Sequence, residues 1–193
     1  GEDRGLRFSL LCRLSAAIRN GDGSMDATAL RAMQAPLKER YKGDPKSAFI
    51  TLRAKGTLDD AHIACKVETG RALAVAGLHP ATGGSGLELC SGDMLLEALV
   101  ACAGVTLKAV ATALDIPLKS GRVAAEGDLD FRGTLGVAKD APVGFAAIRL
   151  RFEVDTEAPQ DKLDQLLKLT ERYCVVYQTI KGGPPIEVRL NRA

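Results

Sequence analysis

Histidine is the scarcest chemistry-bearing residue of this chain. His62 and His79 are the only two in 193 positions. So few imidazoles argue against a metal centre. The one local pairing, His62-Ile63-Ala64-Cys65, is a single H-x2-C on a predicted strand, where the two side chains cannot easily converge. No Ser-His-Asp order and no HExxH motif occurs, so those hydrolase chemistries lack their groups. A GxGxxG is missing too. The glycine-rich stretch His79–Gly86 lacks the lysine and spacing of a phosphate loop, and reads as a connector near the site. No cofactor is expected. Tryptophan is absent and aromatics make up only 4% of the chain. With a formal charge of +2 and no basic stripe interleaved with aromatics, nucleic acid is not expected as a partner. No signal peptide is evident: Leu6–Ile18 is interrupted by Arg7 and Arg13, and no cleavage site follows. The five cysteines form an odd count with no CxxC and no framework spacing, which fits a reducing cytoplasm.

What is present is enough for one domain with a proper core and an appended arm. The chain is 46% hydrophobic and 26% charged, in the range of soluble globular proteins. Residues 6–18 suit a short helical arm, broken by Asn20-Gly21-Asp22-Gly23. Asp26 can cap a helix with Leu30, Met33, Leu37 and Tyr41 at helical spacing, which Pro36 should kink or end. The period then changes. Phe49–Ala54, Ile63–Glu68 and Ala72–Leu78 read as an antiparallel meander, with a turn at Thr57–Asp60.

Ser91 or Asp93 can cap a long helix that runs to about Leu114 and is ended by Asp115-Ile116-Pro117. Residues 94–114 are apolar enough to raise the question of a membrane span, but Glu97, Lys108 and the many alanines favour a core helix, with no membrane partner. Residues 121–132 and 145–154 alternate as a half-buried antiparallel pair, with Ala146, Ile148, Leu150, Phe152 and Val154 on one face. A third helix covers about 159–173, with Leu163, Leu166 and Leu167 inward. Ile186, Val188 and Leu190 make a last strand. The order αβββ-α-ββ-α-β indicates an α+β fold. A central helix that is apolar nearly all round must be covered on every side, and one small sheet covers one side, so a homodimer is expected.

Two cysteines stand out. Cys102 lies inside the long apolar helix, and Cys174 lies where an amphipathic helix stops, in Glu171-Arg172-Tyr173-Cys174-Val175-Val176. Each alone reads as packing. If the fold brings them together, the pair can deliver two electrons to an oxidant and close a disulfide. Cys12, Cys65 and Cys90 read as chemically silent.

The run Ser91-Gly92-Asp93-Met94-Leu95-Leu96-Glu97-Ala98-Leu99-Val100-Ala101-Cys102 resembles the cysteine helix of the OsmC/Ohr family, the osmotically inducible and organic hydroperoxide resistance proteins. Tyr173-Cys174-Val175-Val176-Tyr177-Gln178-Thr179-Ile180 is similar to that family's CPVSxxL segment. The resemblance divides the chain into a helical N-terminal extension, 1–45, and an OsmC-like domain, 46–193. It implies an intertwined homodimer with antiparallel sheets packed around long central helices. It also implies cysteine peroxidase chemistry on organic hydroperoxides. Cys102 would attack the peroxide, Cys174 would resolve the sulfenic acid, and a dithiol such as a lipoylated protein would reset the pair. Asp93 or Gly92 stands where the family's helix-opening glutamate falls. Arg53 and Arg71 are candidates by location for its activating arginine, and His79 is a substitute. His79, Leu99 and Tyr173 are candidates for the substrate pocket. The proline after the family's second cysteine is Val175 here. Two other classes stay open: a dimer whose cleft binds a hydrophobic small molecule, and a redox sensor whose disulfide alters a partner contact.

Overall fold

A computed structural model describes residues 26–44, 55–58, 64–68, 73–136 and 138–192. Helix α1 spans Ala27–Gly43. Asp26 caps it as expected, its Oδ1 accepting the Ala29 N–H at 2.7 Å. Pro36 does not end this helix, which continues for seven more residues. Strands β1 (Lys55–Leu58), β2 (Ala64–Glu68) and β3 (Leu73–Gly77) follow as an antiparallel meander. The expected turn at Thr57–Asp60 begins later than the sequence pattern placed it, because Thr57 and Leu58 are still paired, with Lys66 and Cys65. The predicted strand Phe49–Ala54 lies outside the described residues. A two-residue strand β4, Leu89–Cys90, adds to β3 in parallel, so this sheet is not wholly antiparallel.

Helix α2, Ser91–Ala113, is the centre of the molecule. Its N-cap is Cys90, and no side chain caps it, so neither Ser91 nor Asp93 takes that role. Its far end is a complete Schellman stop. Asp115 adopts φ 55°, Ile116 N–H donates to Ala111 O at 2.9 Å, and Asp115 N–H donates to Thr112 O at 3.2 Å. Pro117 then prevents continuation. The stop also folds Ile116 onto Ala111, and both join Leu107 and Leu166 in the buried core, with Phe152, Val154 and Leu163 packed around them. Each fully buried Leu or Ile of this group contributes about 1.5–3 kcal/mol. Arg31 of α1 binds this same helix end, reaching Asp115 Oδ2 at 3.2 Å and Ala113 O at 3.5 Å.

Strands β5 (Ser120–Leu129) and β6 (Phe145–Asp155) form a two-stranded antiparallel sheet against α2, joined through a short helix α3, Phe131–Thr134. Ala146 does not share the inner face with Ile148. The register slips between Asp128 and Leu129, which leaves Ala146 as the extra residue of a bulge and turns Phe145 inward instead. The Phe145 ring covers Gly127, where a Cβ would collide with it.

Helix α4, Gln160–Tyr173, follows. It buries Leu166 and Thr170 and half-buries Leu163, whereas Leu167 is exposed; the inward stripe passes through Thr170, one turn beyond Leu166. After Cys174 the chain re-enters a helix, α5 (Val175–Gly182), which ends at Gly183 with φ 53°. The predicted last strand does not form here. Residues 183–192 have no regular structure, and Ile186, Val188 and Leu190 are 84–98% exposed, with no strand among the described residues paired to them.

The fold is therefore α+β, with small sheets and long helices. Only one stripe of α2 is buried: Leu99, Ala103, Leu107 and Ala111, at four-residue spacing. Val105 on the same helix is 73% exposed. Among the described residues α2 is the one helix long and apolar enough to cross a membrane by length and composition, a test that core helices also pass.

Candidate functional site

The junction of α4 and α5 faces the middle of α2. Cys174 is both the last cap of α4 and the first of α5, in extended conformation with φ −72° and ψ 108°. Its N–H donates to Thr170 O at 3.0 Å, and its own carbonyl accepts the Gln178 N–H at 3.0 Å. The Gln178 side chain reaches back across the break and donates to Glu171 O at 2.7 Å. The interruption is thus a built joint, hydrogen-bonded on both sides. It lodges Cys174 at 1% exposure. Cys102 comes to the same place from α2. It lies beside the buried Leu99–Ala103 stripe and stays partly accessible. Thr106, one turn on, donates its hydroxyl to Cys102 O at 2.8 Å.

The two sulfurs meet as free thiols. Their environments push them in opposite directions. Burial works to raise Cys102, but the Val176 N–H, the Cys174 thiol and the Val175 N–H favour its thiolate and help to hold it below its ordinary value. Burial pushes Cys174 up. The N–H groups of Tyr177 and Val176 oppose this, while the adjacent Cys102 reinforces it. The result is an accessible thiol disposed to ionise, next to a buried one disposed to keep its proton. That is the division of labour needed for an attacking sulfur and a second that condenses with it. The favourable contacts at Cys102 come from neutral donors. Arg53 and Arg71 lie outside the described residues.

The other sequence candidates sit elsewhere on the chain. Asp93 is exposed at the start of α2, nine residues and about 13 Å of helix rise from Cys102. With His79, Cys90 and Phe131 it lines a separate recess of about 380 Å³. His79 is held there by stacking on Phe131, with ring centroids 4.8 Å apart, and its Nδ1 accepts the Ala81 N–H at 3.0 Å. Leu99, 2% exposed, and Leu107 form the floor of an apolar groove of about 670 Å³, walled by Ile148 and Phe152 of β6, Leu167 of α4, and Tyr177 and Ile180 of α5. Tyr173 is exposed beside Cys174, on a shallower recess shared with Val175 and Gln178. Among the described residues no group of three or more His, Cys, Asp or Glu side chains could hold a metal.

Sequence reasoning missed the amides of Val175 and Val176. A helix restarting at Cys174 is the signal that could have found the amides, since the first turn of any helix leaves its N–H groups free.

These features define a two-thiol centre on an α+β scaffold, one cysteine on the central helix and the other at a helix joint. The family model for OsmC-like proteins matches residues 84–189, more than half of the chain and including both cysteines. The chain belongs to that family. No curated protein matches it. Solved structures with a similar fold include an OsmC-like protein from Mycoplasma pneumoniae (15% identity, TM-score 0.58, covering 69% of this chain and 89% of that one). An organic hydroperoxide resistance protein OsmC from Legionella pneumophila is similar at 18% identity and TM-score 0.54, over 70% of this chain and 92% of that one. A third, an organic hydroperoxide resistance protein from Elizabethkingia anophelis, gives 14% identity and TM-score 0.55, over 70% and 91%. At these identities the likeness is one of fold.

Proposed function

We propose that this protein is a cysteine-based peroxidase that reduces organic hydroperoxides. The observation that carries the reading is the contact between Cys102, held below its ordinary pKa and accessible, and Cys174, buried and pushed up. The Cys102 thiolate attacks the distal oxygen of ROOH. The O–O bond breaks, ROH leaves with a proton, and Cys102 becomes a sulfenic acid. Cys174 attacks that sulfur, water leaves, and a 102–174 disulfide forms. A dithiol reductant, such as a lipoylated protein, takes the pair back to thiols by exchange. The apolar groove beside Leu99 and Leu107 suits an alkyl-substituted peroxide better than a hydrated one.

The working unit in this reading is a cytoplasmic homodimer, intertwined around paired α2 helices. Support comes from the side of α2 that the described residues leave uncovered, with Val105 and Leu95 exposed, and from the alternating Ile186, Val188 and Leu190, unpaired among the described residues. A non-enzymatic reading has one observation in its favour: the groove is large enough to bind a hydrophobic small molecule with no reaction at the thiols.

The test is consumption of an organic hydroperoxide with a dithiol reductant, followed by mass spectrometry of the protein. Turnover, lost in Cys102→Ser, together with a peroxide-induced 102–174 disulfide is the expected result. Binding of hydrophobic ligands without turnover would replace this reading with the second.

A further inference from the structure

The groove floored by Leu99 and Leu107 is apolar inside and charged along one lip. That lip is a single stripe of α4. Gln160, Asp164, Leu167 and Glu171 follow one another at helical spacing, and all four line the cavity. The stripe carries two carboxylates, about 10 Å apart along the helix axis. Neither has a cation: among the described residues no lysine or arginine pairs with Asp164 or Glu171. Asp164 accepts only a neutral donor, the Gln160 side-chain amide, at 2.8 Å. Glu171 is half-buried and lies in the last turn of α4, the end at which a helix dipole disfavours negative charge. The other titratable groups of the cavity come from α5. Tyr177 is half-buried, and the exposed Lys181 holds its ammonium over that ring, 5.4 Å from the centroid.

An apolar cavity of about 670 Å³ with two cation-free carboxylates on its lip is complementary to one kind of small molecule, a hydrocarbon chain with a positively charged end. A chain ending in a carboxylate meets like charge along the α4 lip. Only Lys181 could receive it, and that ammonium is exposed, screened and already engaged with Tyr177. We propose that the groove binds amine-bearing amphiphiles, with the chain on Leu99 and Leu107 and the ammonium against Asp164 and Glu171, and that these two carboxylates select against chains that end in a carboxylate. The proposal deepens the peroxidase reading and rests on it for its catalytic meaning. Leu99 lies one turn before Cys102, and Glu171 one turn before Cys174. The substrate class then narrows to alkyl hydroperoxides whose polar end is cationic. Binding itself requires no reaction at the thiols.

The test is displacement of N-phenyl-1-naphthylamine, an uncharged apolar dye, from the full-length reduced protein at neutral pH. The competitors are octylamine, 1-octanol and octanoate, which share a chain and differ in charge. Octylamine should compete about fivefold better than octanol, the size of one favourable, partly exposed charge contact, and octanoate should compete less well than octanol. Asp164→Asn combined with Glu171→Gln keeps the shape of the lip and removes both charges, and should bring octylamine to the level of octanol. Equal competition by all three in the unaltered protein overturns the proposal. So does an octylamine preference that survives in the double variant, because the selecting charge then lies elsewhere. Failure of the dye and of octylamine to bind at all overturns it too. A second measurement needs no variant: octylamine should shift the backbone amide resonances of α4 between Asp164 and Glu171, and shifts confined to other elements overturn the site even if the double variant fails to fold. These readouts are independent of turnover. Peroxide turnover without the charge preference refutes this proposal alone, whereas the preference without any peroxide consumption refutes the peroxidase reading and leaves the binding site in place.

Discussion

Replacing Cys174 by alanine and by serine separates two jobs that one sulfur performs. As the resolving thiol, Cys174 is needed only after Cys102 has been oxidised. As a donor, it favours the Cys102 thiolate before any peroxide arrives. Neither variant can close the disulfide, so both stop after one turnover with a sulfenic acid that further peroxide over-oxidises. Their first turnovers should differ. Serine keeps a donor at the site, and alanine has none. Hydrogen bonds to a charged partner contribute about 1.5–3 kcal/mol, and S–H is a weak donor, so the lower end applies. At 1.36 kcal/mol per pKa unit, Cys174→Ala should raise the Cys102 midpoint by about one unit. Below the midpoint this leaves roughly tenfold less thiolate. A more basic sulfur is also a better nucleophile, by about threefold per unit, so the net loss of rate is about threefold. The assay is stopped-flow consumption of a stoichiometric organic hydroperoxide across pH 5–10. Serine and alanine variants with the same midpoint would refute the donor role of Cys174. Continued multiple turnover in either variant would refute its resolving role.

Stability should depend on pH with opposite signs at the two thiols. Cys102 is depressed in the fold, so in Cys174→Ser the unfolding free energy should rise as pH climbs from the depressed value to the ordinary thiol value, and be lost as pH falls back through that window. Cys174 is raised, so in Cys102→Ser stability should fall once pH passes the ordinary thiol value; denaturant titrations between pH 7 and 11 read both, and a shared sign would contradict the assignment. Leu166→Ala, at the centre of the core, should destabilise by about 2–5 kcal/mol, with a loss under 1 kcal/mol in urea melts counting against that core. Val105→Asp on the uncovered side of α2 should convert a dimer to a monomer in sedimentation at micromolar concentration, and an undisturbed dimer would move the interface elsewhere.

Local chemistry made much of this molecule legible in one dimension. Asp26 as a helix cap and the stop at Asp115-Ile116-Pro117 could be read because capping and chain reversal depend on a few adjacent side chains and φ values. The alternation of β6 could be read up to Ile148, where one face meets the core. It failed at Ala146, because a bulge depends on how two strands twist together, and a period of two has no memory of its partner. The terminal strand was misread for a related reason: alternating Ile186, Val188 and Leu190 state a preference for a sheet, and a strand exists only where an edge receives it. The two cysteines stood out by residue type and by the resemblance around them. Only the tertiary structure decided that the sulfurs meet, since contact between residues 102 and 174 is a property of how α2 crosses the α4–α5 joint. It also decided which sulfur is disposed to ionise. That distinction comes from burial and from backbone N–H groups, which every residue but proline carries and which therefore leave no mark in the sequence until the start of a helix sets them beside the two sulfurs.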